Sequence, residues 1–167
     1  KSLTENNIDF ELITTNTKST QSRKFKNLQY KSYYLLDNKF DIDLLYDLNS
    51  SNKILISIPP KGQIDLVLKL FSKNFEKNNF DWITYLSATS VYGDKKGQWV
   101  DENTNLEPLS EKGIARLNAE KSWLKYYKDF NLPIQIFRLS GIYSKENNVI
   151  KRLKNRTLKI VDKKNHF

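Results

Sequence analysis

The strongest constraint on the fold is a repeated change of hydrophobic period along the chain. Lys53-Ile54-Leu55-Ile56-Ser57-Ile58 is a short β-branched run stopped by Pro59-Pro60, which reads as a buried strand. From Gln63 the residues Ile64, Val67, Leu68, Phe71 and Phe75 recur at helical spacing, with Lys69, Lys73 and Lys77 on the other side. Asn78-Asn79 breaks that pattern, and Trp82 to Leu86 reads as the next strand. Ser110 with Glu111 opens a long helical stretch carrying Ile114, Leu117, Leu124 and Tyr127 on one side. Ile134 to Leu139 is a further strand, followed by an expected helix from about Asn147 to Asn155 and a last strand at Leu158 to Val161. Upstream, strands are expected at Ile8 to Ile13 and at about Tyr30 to Leu36, joined by a basic, Ser/Thr-rich connection. Phe40 to Leu48 fits either a short helix or a loop. Strands alternating with such helices specify an α/β fold with a parallel, doubly wound sheet. With no internal repeat and no linker, the 167 residues read as one domain.

In such sheets ligands bind beyond the carboxyl ends of the strands. Four segments are therefore expected on one rim: Thr14 to Lys18, Ser57 to Gly62, Ser87 to Gly93 and Ser140 to Lys145. Composition narrows the chemistry available there. There is no Cys, which excludes a disulfide framework, a thiolate zinc site and a cysteine nucleophile. The single His166 leaves no His-based metal cluster or Ser/His/Asp triad, so no metal is expected. The net charge of +9 raises the question of nucleic acid. Only five basic residues are Arg, however, and the Lys are spread among many Asn, as on a solvated exterior, so no nucleic-acid partner is expected. No run approaches the roughly 18 apolar residues of a membrane span, and a cytoplasmic setting without a membrane partner is expected.

Tyr85-Leu86-Ser87-Ala88-Thr89-Ser90-Val91-Tyr92-Gly93 is a strand ending in small hydroxylic residues and then Val-Tyr-Gly. With Trp99-Val100-Asp101-Glu102, Glu107-Pro108, Glu120 and Phe137-Arg138-Leu139-Ser140-Gly141-Ile142-Tyr143, it resembles the NAD-dependent epimerase/dehydratase family of extended short-chain dehydrogenases/reductases. The resemblance is greatest to an atypical, nucleoside-diphosphate-sugar epimerase-like branch. It implies a Rossmann-like, three-layer α/β/α domain, hydride-transfer chemistry on a nicotinamide, and a small-molecule substrate such as a nucleotide-sugar. The family's opening strand and Gly-rich turn have no counterpart, since the first glycine is Gly62. Residues 1–167 are thus expected to be a partial NAD(P)-binding domain truncated at both ends, with possible self-association through the strand edges this leaves.

The resemblance also implies roles. The hydroxyl that in the family bonds the reacting oxygen is replaced by Ala88, and the catalytic Tyr and Lys positions fall on Lys112 and Arg116. Lys112 is either an unusual base or, with Arg116, simply an exposed cation on a solvated helix. Thr89 and Ser90 either line the pocket or cap the strand by bonding their own backbone. These three are the candidate catalytic residues. Thr15, Lys18, Ser57, Pro59, Ser87, Ala88, Leu139 and Ile142 are the candidate cofactor-binding residues. No acid stands at Thr15 to Lys18 for a ribose 2′-OH, so NADP or NAD remains open for the intact parent. The expected function is an NAD(P)-dependent oxidoreductase or sugar-nucleotide epimerase/dehydratase-like protein. A non-catalytic dinucleotide-binding or sensor protein is the alternative, and a basic nucleic-acid-associated domain the remote one. Asp101-Glu102 is expected to be a turn or cap feature, and Trp99 to lie in a loop that could border the pocket.

Overall fold

The computed structural model describes residues 10–62, 64–145 and 148–157. The first strand, β1, is Ile13–Asn16, and it pairs in parallel with β3, Leu28–Leu36. An antiparallel strand β2, Gln21–Phe25, flanks β3 on its other side, and a two-residue strand β4, Lys39–Phe40, turns back against its end. Helix α1 is Asp43–Ser50. A second ladder, wholly parallel, runs β5 (Lys53–Ile56), β6 (Trp82–Ala88), β7 (Ile134–Leu139), with β6 in the middle. Helix α2 (Leu66–Lys77) connects β5 to β6, and α3 (Glu111–Phe130) connects β6 to β7. Helix α4 is Val149–Lys154.

The parallel α/β architecture follows the alternation in the sequence, with four corrections. Of the strand expected at Ile8 to Ile13, Ile8 and Asp9 lie outside the described residues, Phe10 to Leu12 are not in a strand, and β1 runs on from Ile13, because β-branched Thr14 and Thr15 pair against Ser32 and Tyr33 as well as an apolar run would. Thr15 is therefore the last residue but one of a strand, exposed near its carboxyl end. The basic connection holds β2, whose five residues are all exposed and so give no alternation to read. Helix α2 starts at Leu66, not Gln63, since Lys61 and Ile64 exchange backbone hydrogen bonds of 3.1 Å and leave Ile64 half exposed. On α3 the buried side is Ala115, Ala119, Glu120 and Trp123, whereas Ile114, Leu124 and Tyr127 face solvent. The expected strand at Leu158 to Val161 lies outside the described residues. The two ladders end at β1 and β5, which are not hydrogen-bonded to one another.

One core joins both ladders. Val67, Leu68, Phe71 and Phe75 of α2 and Trp123 of α3 pack on Ile56, Ile83 and Tyr85, with Tyr33, Leu35 and Leu44 in the same cluster. Trp123 meets Phe75 edge-on at 5.1 Å and stacks on Tyr85 at 6.2 Å. Such aromatic pairs add about 0.5–1.5 kcal/mol beyond the area they bury. The two long helices are started by side-chain caps. The Leu68 N–H donates to Asp65 Oδ1 at 3.0 Å, and the Gly113 N–H donates to Ser110 Oγ at 3.1 Å.

Candidate functional site

The carboxyl end of β6 is the best-built part of the rim. After Ala88 the chain makes a single tight 3-10 turn, Thr89–Val91, closed by the Tyr92 N–H donating to the Thr89 carbonyl at 3.1 Å. Thr89 and Ser90 are exposed on this turn, while Val91 and Tyr92 are buried beneath it. Helix α3 comes down on the turn so closely that a Cβ on Gly113 would lie 2.7 Å from the Ser90 carbonyl oxygen. That contact brings Lys112, exposed in the first turn of α3, to the same corner as Thr89 and Ser90. The β6–β7 register sets Ser87 opposite Arg138 and Ala88 opposite Leu139, so the small and apolar candidates are side by side at the strand ends. Ser57 and Pro59 are exposed just beyond β5, whose last residue Ile56 pairs with Tyr85. Ile142 is exposed in the segment after β7.

The other candidates fall elsewhere. Thr15 lies in β1 of the other ladder and Lys18 just beyond its end, where Asn16 folds a local turn: its Oδ1 accepts from the Lys18 and Ser19 N–H groups at 2.8 and 3.1 Å. Ser87 is buried with its Oγ unpartnered, facing the interior. Trp99 is fully exposed, and Asp101 makes a turn, accepting from the Asn103 N–H at 3.0 Å and the Thr104 hydroxyl at 2.8 Å. A groove of about 420 Å³ lies at the opposite, amino end of β1 and β3, between Glu11, Arg23, Lys24 and Lys31, and contains none of the rim residues.

Two guanidinium groups brace the corner from inside. Arg116 Nη1 donates to the Leu86 carbonyl at 2.6 Å and to the Tyr85 hydroxyl at 3.4 Å. Burial pushes the Tyr85 phenol up to about 12, against the pull of Arg116. Arg138 splits its fork. Nε and Nη2 donate to the buried Glu120 carboxylate at 3.2 and 2.9 Å, and Nη1 donates to the Tyr92 hydroxyl at 3.0 Å. Glu120 thereby holds the Arg138 guanidinium above even its ordinary range. Sequence reasoning assigned Arg138 no function. The available signal is that Ile134, Ile136 and Arg138 alternate on one strand face, putting a charge where an apolar residue is due. Beyond the turn, Gly93 is left-handed and abuts the Glu107 carbonyl, while Lys95 pairs with Glu107 at 2.8 Å and holds its carboxyl below the usual range.

This Rossmann-like parallel sheet, with a Val-Tyr-Gly turn at a strand end and a long helix seated on it, resembles NAD-dependent epimerase/dehydratase proteins, and the comparisons bear out that resemblance in sequence with one curated epimerase and in fold with solved ones. The chain is 39% identical over 67 residues to an uncharacterized UDP-glucose epimerase, YtcB, of Bacillus subtilis (strain 168), spanning 40% of this chain and 21% of that protein. UDP-glucuronic acid 4-epimerase from Bacillus cereus, solved with NAD, shares the fold with a TM-score of 0.62 at 23% identity, over 75% of this chain and 46% of that one. UDP-N-acetylglucosamine 4-epimerase from Bacillus cereus does so with a TM-score of 0.56 at 22% identity, over 65% and 47%. A functionally unknown conserved protein from Silicibacter pomeroyi DSS is 41% identical, with a TM-score of 0.51 over 55% of this chain and 32% of that one. The chain thus spans less than half the length of each of these relatives. No protein-family model matches it. None of the described helices is long and apolar enough to cross a membrane.

Proposed function

We propose that the chain carries the nicotinamide-side core of an NAD(P)-dependent epimerase- or dehydratase-like protein that acts on a nucleotide-sugar. The observation that carries this reading is the corner where Thr89 and Ser90 lie exposed under the first turn of α3, beside Ala88 and Leu139 at the strand ends. The described residues fit the nicotinamide end of a dinucleotide. A small Ala88 and an apolar Leu139 would let a flat ring approach, and Ser57, Pro59 and Ile142 would border it. They offer no Gly-rich pyrophosphate cradle, and no step is derived through one. When bound, the dinucleotide supplies a hydride acceptor. The role of Thr89 and Ser90 is to hydrogen-bond the substrate hydroxyl at the reacting carbon. Lys112 is assigned the proton-moving role because Arg116, one turn further on, is a guanidinium that cannot give up its proton and donates to the Leu86 carbonyl. NAD is the cofactor bound in the solved UDP-glucuronic acid 4-epimerase, and NADP is kept as an option by the absence of an acid at Thr15 to Lys18.

A second reading has its own observation. Ala88 offers no hydroxyl and Arg116 faces inward, so the corner can serve binding without turnover. Titration with NADH and NADPH, followed by nicotinamide fluorescence, and NMR detection of UDP-sugar epimers separate the two. Epimer formation that disappears in Lys112→Ala is the catalytic outcome. Saturable cofactor binding without turnover is the second. Failure to bind either dinucleotide rejects both.

A further inference from the structure

We propose that Tyr92 and Arg138 are positioning residues: their contact locks the Thr89–Gly93 turn to the end of β7 and, through Glu120, to α3, so the two rim segments are held as one unit. The functional meaning of that unit rests on the reading above, because these segments carry Thr89, Ser90, Leu139 and Ile142. Three facts support it. Glu120 is 1% exposed, and its carboxylate accepts from two guanidinium nitrogens of Arg138, at 3.2 and 2.9 Å. A buried ion pair of this geometry over-determines the placement of its members, since displacing either one strands the other's charge. The remaining arm of the fork reaches Tyr92, which is 7% exposed; its hydroxyl lies 3.0 Å from Nη1 and its ring lies 5.0 Å from the guanidinium carbon. Tyr92 is the residue whose N–H closes the Thr89 turn, so the hydroxyl fixes that turn from its far end.

The alternative is that the network only adds global stability. A lysine at position 138 keeps a charge opposite Glu120, but its point charge cannot serve a carboxylate and a phenol in fork geometry. Tyr92→Phe keeps the ring over the guanidinium and removes only the accepting oxygen. Amide hydrogen exchange, followed by mass spectrometry on the full chain without ligand, separates the possibilities. In Tyr92→Phe and in Arg138→Lys, peptides covering 87–94 and 139–145 should exchange roughly five- to tenfold faster while peptides from β5 and α2 keep wild-type rates. Unchanged exchange in those two segments overturns the proposal, as does a uniform rise in every peptide. NADH affinity measured on the same proteins should weaken by a similar factor in the variants. A wild-type chain that binds no NADH overturns the functional reading alone, and the exchange result still decides the network.

Discussion

At the scale of single residues, two glycines separate backbone conformation from crowding. Gly62 and Gly93 both have positive φ, at 58° and 74°. A Cβ on Gly62 would meet nothing within 4 Å, whereas one on Gly93 would lie 2.0 Å from the Glu107 carbonyl oxygen. Gly62→Ala should therefore cost only the left-handed penalty of about 1–2 kcal/mol. Gly93→Ala should cost at least about 2 kcal/mol more, because it also drives apart the base of the loop that Lys95 and Glu107 close. Urea denaturation of the two variants checks this, and equal losses would mean the Gly93 contact relaxes freely. Residue chemistry is also where the sequence was most and least informative about the site. Thr89, Ser90 and Lys112 are candidates that the Val-Tyr-Gly turn and the spacing to Glu120 single out in the sequence, and the fold sets them at one corner. The fork from Arg138 to Glu120 and Tyr92 joins residues 18 and 46 positions apart, a pairing that only the folded chain displays.

Among the elements, α2 carries a cap whose chemistry is sensitive to pH. Asp65 Oδ1 accepts from the Leu68 N–H, while Oδ2 is buried with no partner. Burial raises the Asp65 pKa above 3.8, and the Leu68 N–H opposes it. The folded state then holds the proton more tightly than the unfolded chain. The stability this contributes is complete below 3.8 and is lost as pH rises through the folded value. Asparagine at this position keeps a capping oxygen and does not titrate. Wild-type stability relative to Asp65→Asn should accordingly fall as pH increases from below 3.8 toward neutrality, in urea titrations at stepped pH. Parallel curves would mean that the carboxyl is not desolvated. Element boundaries show why part of the fold was hidden in the sequence. Helix α3 packs through Trp123 and two small residues, Ala115 and Ala119, while Ile114, Leu124 and Tyr127 lie on the solvent side and mislead a reading by hydrophobicity. Strand β2 buries nothing, and only its pairing with β3 defines it.

For the molecule as a whole, the consequence of two ladders sharing one core is an unevenly covered surface. Ile54 and Ile56 of β5, and Ile134 and Ile136 of β7, pack on the core. The intervening Leu55 remains 58% exposed, and Phe137 is 48% exposed on β7. Leu55 and Phe137 alternate away from the core residues on their strands, so they lie on the other sheet face. Their strands flank β6 on its two sides, which makes this an apolar face spanning the parallel ladder. Among the described residues β1 and β5 are each paired on one side only, which makes them edges suited to further pairing. We expect the chain to self-associate through this face. Sedimentation velocity should show a mass that grows with concentration, and the Leu55→Lys, Phe137→Lys double variant should shift it toward monomer. Because both side chains are about half exposed, that variant should lose no more than about 1–2 kcal/mol in denaturant titration. A loss of several times that size, with unchanged sedimentation, would show that both side chains are packed inside one chain in solution and that association, if any, uses another surface.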